Sequence, residues 1–412
     1  MINKGSNRTL QQLLSLPVLV AALGYLVDMY DLFLFNIVRI PSLQSLNLPA
    51  DKILSEGIIL LNWQMAGLLI GGVVWGILGD KRGRLSVLFI SIFIYSVANI
   101  ANGFVLTTTG YALFRFIAGF GLAGELGAGI TLITEILPSK TRGYGAALIT
   151  TLGVFGTLIA YVVSHLFAWR TAYIIGGILG LLLMALRFKV MESGIFENLK
   201  QKKIRRGDLR MLLFNRTRLF RYIKSIIVGL PIWFATGILV TFSPELGKAM
   251  GLNEPVDAGK AVLLTFAGQI AGNILVTGLS QFFKSRKKAI LLFIFSSFIL
   301  MLIFLLAPFE KTFMLYCLCA ALGFFGGYWT LFITVTAELF GSNLRATVTT
   351  SVPNFVRGTL ILTTYFFLLA KGKWGVIYGA LAVGTIIYII AIFSLLRLEE
   401  TFEKEMNFIE IP

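Results

Sequence analysis

The sequence predicts an all-α integral membrane protein with twelve transmembrane helices, arranged as two pseudo-symmetric bundles of six. Three observations lead to this prediction. First, 57% of the 412 residues are hydrophobic, 14% are charged and the mean hydropathy is +0.85, which is more apolar side chain than a soluble core buries. Second, apolar runs long enough to cross a bilayer recur along the whole chain. Third, one basic segment separates six of these runs from the other six.

The apolar runs define the predicted spans. A hydrocarbon core about 30 Å thick needs roughly 20 mainly apolar helical residues for each crossing. Reading the runs between charged, Pro, Gly and Asn breaks gives twelve spans. They cover approximately residues 17–39, 57–79, 85–105, 109–137, 143–166, 170–190, 219–244, 258–281, 288–308, 311–339, 346–370 and 375–397.

The distribution of Lys and Arg predicts the orientation of the chain. An even number of spans places both termini on one side of the membrane. Of the 36 Lys and Arg residues, 26 fall in segments on that side, 8 in the opposite loops and 2 inside spans. Because positive charge favours the cytoplasmic side, we expect a multi-pass protein of the inner (cytoplasmic) membrane with both termini inside. The net charge of +16 is then an orientation and lipid-headgroup signal, and no nucleic-acid partner is expected.

Twelve of the cations lie between Arg187 and Lys224 and mark a polar connection between the halves. The predicted organisation is an N-terminal six-helix bundle at residues 1–190, a cytoplasmic basic linker at 191–218 and a C-terminal six-helix bundle at 219–412.

The two halves are also related in sequence. A shift of 203 residues pairs Glu135 with Glu338 and Arg142 with Arg345, and a shift of 202 aligns GILGDKRGR with GLSQFFKSR. Two separate loops with nearly the same offset indicate a duplicated six-helix unit. In such proteins the substrate typically sits near the midplane, between halves that rock about it.

Three motifs resemble a known family. The run GILGDKRGR, residues 76–84, resembles the signature GxLxDxxGR of the major facilitator superfamily. Residues 115–143 are similar to the fourth span and following loop of its metabolite:proton symporter branch and sugar-porter relatives. The run VDMYDLFLF, residues 27–35, is similar to the first span of that branch. The resemblance covers nearly the whole chain and implies the major facilitator fold and secondary active transport by alternating access.

The resemblance also implies a set of gating residues on the cytoplasmic side. They are Gly76, Asp80, Gly83, Arg84, Glu135, Arg142, Glu338 and Arg345. We expect the carboxylate of Asp80 to face the start of the eleventh span, where a helix N-terminus and Arg345 favour an anion. Phe282 takes the place of this carboxylate in the second half, so the mirror contact toward Arg142 is expected to be weak or absent. Tyr328 similarly stands opposite Glu125.

Carboxylates inside the predicted spans are candidates for proton coupling. A charge at bilayer depth costs at least about 2.5 to 3.5 kcal/mol and needs a partner or a water-filled cavity. Asp28 and Asp31 are three residues apart and share one helical face, so we expect them to carry protons. An alternative is that one of them pairs permanently with Arg115. Glu125 either relays protons or pairs near the cytoplasmic gate.

Arg357 is the main indication of substrate charge. It lies about halfway along the eleventh predicted span, and Thr350, Asn354 and Thr364 fall on its face. A polar stripe within a membrane helix indicates a cavity, where a guanidinium can bind a carboxylate or phosphate through two hydrogen bonds. Alternatively, Arg357 pairs with Asp28 or Asp31 across the two halves. Both interpretations hold in turn if the substrate displaces the carboxylate.

The predicted substrate-binding set collects polar and aromatic side chains within the spans. Its members are Arg115, Arg357, Asn354, Tyr30, Asn36, Gln269, Asn273, Tyr328 and Trp329, with Gln64 and Trp233 as further cavity candidates. His165, the only histidine, falls near the periplasmic end of the fifth span, which is typical of an interfacial residue; a pH-sensing role is the alternative.

Motifs of soluble chemistry do not occur in this sequence. It contains no GxxxxGK[ST] loop, no Cys/His cluster with metal spacing and no GxSxG element, so we expect no enzyme activity, no cofactor and no metal site. The favoured hypothesis is a monomeric, proton-coupled transporter that imports a small anionic or zwitterionic metabolite, such as an organic acid. Its expected partners are this substrate, protons and the lipid bilayer. The alternatives are an exporter of drugs or of a secreted metabolite such as a siderophore, and a non-transporting membrane receptor.

Overall fold

The computed structural model describes residues 13–49, 52–137, 141–187, 209–404 and 408–410. The side chains of Arg84, Glu135 and Arg142, which were expected at the gate, lie outside the described set, as does most of the predicted linker.

The first half consists of six spans, numbered 1 to 6 in chain order. Span 4 is made of two consecutive helices, and each other span is one helix. Their bounds are Leu16–Ser45, Ile53–Arg82, Arg84–Asn102, Thr108–Leu122 with Glu125–Ile136, Arg142–Leu166 and Trp169–Leu186.

The second half repeats this arrangement. Span 7 continues from an α-helix into a π-helix, and span 10 again has two parts. The bounds of spans 7 to 10 are Arg216–Phe234 with the π-helix Ala235–Val240, Ala258–Phe283, Arg286–Leu306, and Thr312–Gly326 with Trp329–Leu339. The helices Arg345–Gly358 and Leu360–Leu396 together form spans 11 and 12. Two shorter helices, Leu209–Leu213 and Ser243–Met250, flank span 7.

The last apolar segment contains two crossings. The described residues form eleven helical segments that are long and apolar enough to span a membrane, and the last of them, Arg345–Leu396, has 52 residues. That length corresponds to roughly 78 Å of helix, well over twice the hydrocarbon thickness. The backbone breaks at Gly375, where φ is 79° and ψ is 175°, a conformation that glycine tolerates. Residues 345–374 are therefore span 11 and residues 376–396 span 12, which confirms the twelve predicted spans.

The helix breaks in spans 4 and 10 confirm the internal repeat. The first break separates Leu122 from Glu125, and the second separates Gly326 from Trp329. The separation of the two breaks along the chain differs by no more than two residues from the shifts of 202 and 203 residues that align the halves in sequence. A break at the same place in both halves indicates that each bundle bends its fourth helix in the same way.

The start of span 7 corrects one predicted boundary. The helix begins at Arg216 rather than at 219, and the preceding residues 209–213 are also helical. The side-chain oxygen of Asn215 accepts a hydrogen bond from the backbone N–H of Arg218 at 3.1 Å. This N-cap stabilises the helix start within a segment whose cations had indicated a linker.

Close helix contacts bring the two halves together. Span 2 packs against span 11, and span 5 packs against span 8. At Gly127, an added Cβ would lie 2.2 Å from Cα of Thr350, so only glycine fits there. These contacts place the second, fourth, fifth, eighth and eleventh spans at the boundary between the halves.

Candidate functional site

A carboxylate from the first half closes one side of the molecule, called here the Asp80 face. Asp80, near the end of span 2, accepts hydrogen bonds from the backbone N–H of Ala346 at 3.2 Å, from the backbone N–H of Thr347 at 2.8 Å and from the Thr347 hydroxyl at 2.7 Å. These donors belong to the first turn of span 11, whose unpaired N–H groups and helix dipole favour an anion. Gly76 lies one helical turn before Asp80. A Cβ added there would lie 2.9 Å from the backbone of Thr347, so a glycine allows span 11 to approach this closely.

The corresponding loop of the second half makes different contacts. Phe282 is 81% exposed. Arg286, the counterpart of Arg84, lies 3.4 Å from Glu338 and donates to the Ser280 hydroxyl at 3.1 Å. Glu338 also accepts from the Thr401 hydroxyl at 2.8 Å. Glu338 therefore connects parts of its own half, and the expected weakness of the contact toward Arg142 stays a prediction.

The opposite side, called the Arg39 face, is also closed by contacts between the halves. Nη2 of Arg39 lies 3.0 Å from Oε1 of Glu245, and the Asn36 amide donates to the Thr241 hydroxyl at 3.0 Å. Asn36, a predicted substrate ligand, thus bonds the side chain of the residue directly after span 7. Polar contacts between the halves are therefore present at both faces.

A narrow cavity remains between the closed faces. Its volume is ≈ 20 Å³, far below the roughly 300 to 1,000 Å³ of typical small-molecule pockets. Aromatic and apolar side chains from both halves dominate its walls. The lining residues are Tyr25, Met29, Phe33, Ile232, Trp233, Thr236, Phe266, Gln269 and Trp329.

An ion pair joins the halves beside this cavity. Nη2 of Arg357 lies 3.6 Å from Oδ2 of Asp28, and the guanidinium sits 5.7 Å from the centre of the Trp233 ring. Nη1 of Arg357 also donates to the Asn354 amide oxygen at 3.3 Å. Asp28 comes from span 1 and Arg357 from span 11, so the pair crosses the boundary that alternating access has to open.

Arg115 is held within the first half. It donates to Oε1 of Gln64 and to the Tyr173 hydroxyl, the latter at 3.2 Å, and it lies over the Phe35 ring. Asp31 is fully buried nearby, and among the described residues neither of its oxygens has a well-formed hydrogen bond. An added Cβ on Gly176 would lie 2.3 Å from Oδ1 of Asp31. Asp31 and Arg115 thus form a second buried site, set back from the cavity.

Glu125 forms a buried ion pair, which was one of the two alternatives for this residue, with a partner that the sequence analysis did not identify. Both of its carboxylate oxygens accept from Arg187, one of them at 2.9 Å, and Arg187 also donates to the Leu88 carbonyl at 3.1 Å. Arg187 had been counted with the linker cations, but its side chain is 0% exposed. One signal in the sequence could have indicated that Arg187 is buried. It directly follows the apolar run LLLMAL, ahead of the polar residues of the linker.

Three other predicted ligands, and His165, contact protein groups. The Tyr30 hydroxyl donates to the Ala172 carbonyl at 2.7 Å, and the Tyr328 hydroxyl donates to the Val228 carbonyl at 2.9 Å. The Asn354 amide donates to the Ala123 carbonyl at 2.8 Å. His165 is exposed at the Arg39 face, with Nδ1 2.9 Å from the Tyr161 carbonyl. Of the predicted substrate-binding set, Gln269 and Trp329 line the cavity directly.

Asn273 differs from these residues. It is fully buried, and among the described residues neither atom of its amide has a hydrogen-bond partner. It lies one turn from Gln269 on span 8, so an unused amide adjoins the cavity wall.

Comparison with known proteins decides the family. Residues 21–361 match the family model of the Major Facilitator Superfamily. The chain belongs to the major facilitator superfamily. Members of this superfamily are transporters rather than enzymes, so the chain is a multi-pass membrane transporter.

Two relatives and one solved structure of the superfamily illustrate the likeness. The probable 4-methylmuconolactone transporter of Cupriavidus pinatubonensis is 26% identical over 92% of this chain and 89% of its own length. The gentisate transporter of Corynebacterium glutamicum is 24% identical over 93% of this chain and 88% of its own. The proton:xylose symporter XylE bound to 6-bromo-6-deoxy-D-glucose has a similar structure, with a TM-score of 0.77, 17% identity and coverage of 95% and 97%.

The major facilitator fold gives the described contacts a common role. The two halves meet at the Asp80 face, at the Arg39 face and at the Arg357–Asp28 ion pair between them. All three are polar contacts between side chains or helix ends, and they lie at the boundary between the two six-helix bundles of this fold.

Proposed function

We propose that this protein is a proton-coupled importer of a small carboxylate with a flat, apolar body. The rocking units are the bundles at 1–190 and 219–412, joined by the linker at 191–218, and the Asp80 face is cytoplasmic. The observation that carries the proposal is the ion pair between Arg357 and Asp28, which crosses the two halves beside an aromatic cavity.

The cavity supports this substrate class. Arg357 supplies a guanidinium that matches a carboxylate in geometry and charge, and Trp233, Trp329, Phe33 and Phe266 offer faces and edges for a planar ring. Gln269 is the polar side chain placed to bind a second oxygen. The relatives named as 4-methylmuconolactone and gentisate transporters, whose names denote small unsaturated organic acids, agree with this choice.

The same ion pair provides a coupling mechanism. When a substrate carboxylate binds Arg357, Asp28 loses its cation in a site that excludes water. A buried charge without a partner is strongly destabilised, so Asp28 takes up a proton as the substrate binds. Because the loaded cavity then holds one guanidinium, one substrate anion and a neutral Asp28, substrate and proton cross together.

The remaining carboxylates take different roles in this proposal. Asp31, fully buried near Arg115, is the second candidate proton carrier. Glu125 is already paired with Arg187, and this pairing favours a structural role over the proton relay that was the alternative.

Uptake into proteoliposomes tests the proposal. Purified protein is reconstituted, an inward proton gradient is imposed, and accumulation of radiolabelled gentisate is measured against that of its carboxamide, with empty liposomes as background. We expect accumulation of the acid above equilibrium and none of the amide. Accumulation that ignores the gradient would refute the coupling, and equal uptake of the amide would refute the role of the carboxylate.

Two variants separate coupling from transport. Asp28→Asn is expected to abolish accumulation driven by the gradient but to retain counterflow exchange of gentisate. Glu310→Gln, at an exposed carboxylate between spans 9 and 10, is the control and is expected to behave as the wild type. Accumulation driven only by a proton gradient of the opposite sign would indicate an exporter, and binding without flux would indicate a receptor.

A further inference from the structure

The end of the chain packs along the turn that precedes span 11. Residues 408–410 run beside residues 341–343 like a short added strand. The Phe408 carbonyl accepts from the Ser342 backbone N–H at 2.9 Å and from its hydroxyl at 3.1 Å. The Asn343 amide pairs with the main chain of Glu410 in both directions, since its oxygen accepts from the Glu410 N–H at 2.9 Å and its nitrogen donates to the Glu410 carbonyl at 3.1 Å.

The carboxylate of Glu410 ties the same turn to span 7. Oε2 accepts from Nε of Arg218 at 2.9 Å, and Oε1 lies 3.6 Å from Nη1 of Arg221. Oε1 also accepts from the Gly341 backbone N–H at 3.4 Å. The side chain is only 11% exposed, so one carboxylate contacts two cations at the beginning of span 7 and bonds the turn. Arg221 also lies 3.3 Å from Oε1 of Glu399, so Glu410 is the main counter-charge of Arg218 and shares Arg221.

We propose that Glu410 is a positioning residue for the gate at the Asp80 face. It fixes the turn 341–344, and that turn sets the direction in which Ala346 and Thr347 present their N–H groups to Asp80. This inference rests on the proposed alternating access, in which the Asp80 contact closes the cytoplasmic side.

The geometry of the turn connects the position of Glu410 to the N–H groups that bind Asp80. The Leu344 N–H donates to the Gly341 carbonyl at 3.0 Å, and the Val348 N–H donates to the Leu344 carbonyl at 3.0 Å. The first turn of span 11 therefore starts directly from the segment that Glu410 holds. Only two residues separate Asn343, bonded to Glu410, from Ala346, bonded to Asp80.

The consequence is a shift between transport states. Without the carboxylate, Arg218 and Arg221 lose a shared counter-charge, and the turn loses a charge-assisted anchor. The closed gate becomes less populated, so fewer molecules present the site to the outside. Because apparent affinity falls with the fraction of competent molecules, the external KM rises while exchange through loaded molecules is largely kept.

A cysteine reporter measures the gate directly. Cys317 and Cys319 are replaced by alanine, and Thr131→Cys is introduced. The Thr131 hydroxyl is fully buried and 2.6 Å from the Thr349 hydroxyl across the halves. A membrane-permeant maleimide then labels this cysteine only when the Asp80 face opens. External KM for gentisate uptake and the maximal rate of counterflow are measured on the same variants.

The variants include a rescue and a matched control. We expect Glu410→Gln to raise the labelling rate and the external KM by roughly threefold or more, Glu410→Asp to restore most of the wild-type value, and counterflow to change less than KM. Glu403→Gln, an exposed carboxylate of the same terminal segment, is expected to change neither.

Unchanged labelling in both Glu410→Gln and Glu410→Ala would overturn the inference. A lower melting temperature with unaltered labelling would also overturn it, because it would show a merely structural role. The labelling experiment needs no substrate, so failure of the proposed transport activity would leave it interpretable.

Discussion

The guanidinium of Arg357 and the carboxylate of Asp28 lie 3.6 Å apart, although they come from opposite halves of the molecule. Both side chains are buried, with 1% and 0% exposure. Two charges in such a site stabilise each other but leave a large penalty when either is removed. In the proposed mechanism the pair therefore binds the halves together only until another anion replaces Asp28.

Arg357→Gln is expected to weaken gentisate binding by about a hundredfold or more, because loss of a buried charge partner costs about 3 to 5 kcal/mol. Arg357→Lys should recover part of the affinity, since a lysine supplies the charge without the planar fork. Binding is measured as the ligand-induced rise in melting temperature. Arg397→Gln, at an exposed position after span 12, is the control, and unchanged affinity in Arg357→Gln would remove the guanidinium from the binding site.

Asp80→Asn is expected to open the Asp80 face more often. The carboxylate accepts three hydrogen bonds from Ala346 and Thr347, and bonds to a charged group contribute about 1.5 to 3 kcal/mol each. Asparagine has one acceptor oxygen in place of two, so its NH2 group would face a backbone N–H of Ala346 or Thr347, and the charge is also lost. Faster maleimide labelling of the Thr131→Cys reporter should follow.

The control for this gate variant is Asp257→Asn. Asp257 caps span 8 at the opposite face, where it accepts from the Lys260 N–H at 2.9 Å, and asparagine caps helices about as well as aspartate. Equal labelling in the wild type and Asp80→Asn would show that the gate does not depend on this charge.

The spans were predictable because each is encoded locally. About 20 apolar residues are needed to cross lipid, so twelve crossings could be read from the sequence before any contact was known. Errors arose at helix ends, where a single side chain decides. Asn215 starts span 7 at Arg216. The break at Gly375, in contrast, falls at the predicted start of the twelfth span, shortly after the polar residues 371–373.

The partners of the buried charges were less predictable, because they depend on tertiary structure. Arg187 lies 62 residues from Glu125, and its position directly after an apolar run separates it from the linker cations that follow without indicating its partner. The cavity wall presented a similar problem. Tyr25, Met29 and Phe33 recur at a spacing of four, but the same spacing marks every helix face that packs against a core.

Glu125→Gln is expected to destabilise the protein by about 3 to 5 kcal/mol, since it leaves the buried Arg187 without its counter-charge. Replacing both residues by apolar ones, Glu125→Leu with Arg187→Met, should recover most of that loss. Melting temperature in detergent measures both effects. If the double variant still accumulates gentisate with the proton gradient, Glu125 is not a proton carrier; loss of coupling in a stable double variant would restore the relay interpretation.

Glu400 is expected to give the protein a stability that depends on pH at the acid end. Burial alone would raise the pKa of Glu400, but hydrogen bonds from the Ser285 hydroxyl and from the backbone N–H groups of Arg286, Phe402 and Thr401 lower it below its ordinary value of 4.5. A pKa that is lower in the folded state stabilises the fold above the unfolded-state pKa, and this contribution is lost as the pH falls through the folded-state value.

Glu400→Gln should therefore lower the melting temperature at pH 7, and the difference from the wild type should shrink as the pH falls below about 4. Glu399→Gln is a suitable control. Glu399 is the neighbour of Glu400 in the chain, its side chain is 59% exposed, and exposed ion pairs contribute little to stability. Melting curves of the three proteins between pH 3.5 and 7 decide the matter. A difference between Glu400→Gln and the wild type that stays constant over this range would assign the effect to packing rather than to the ionised carboxylate.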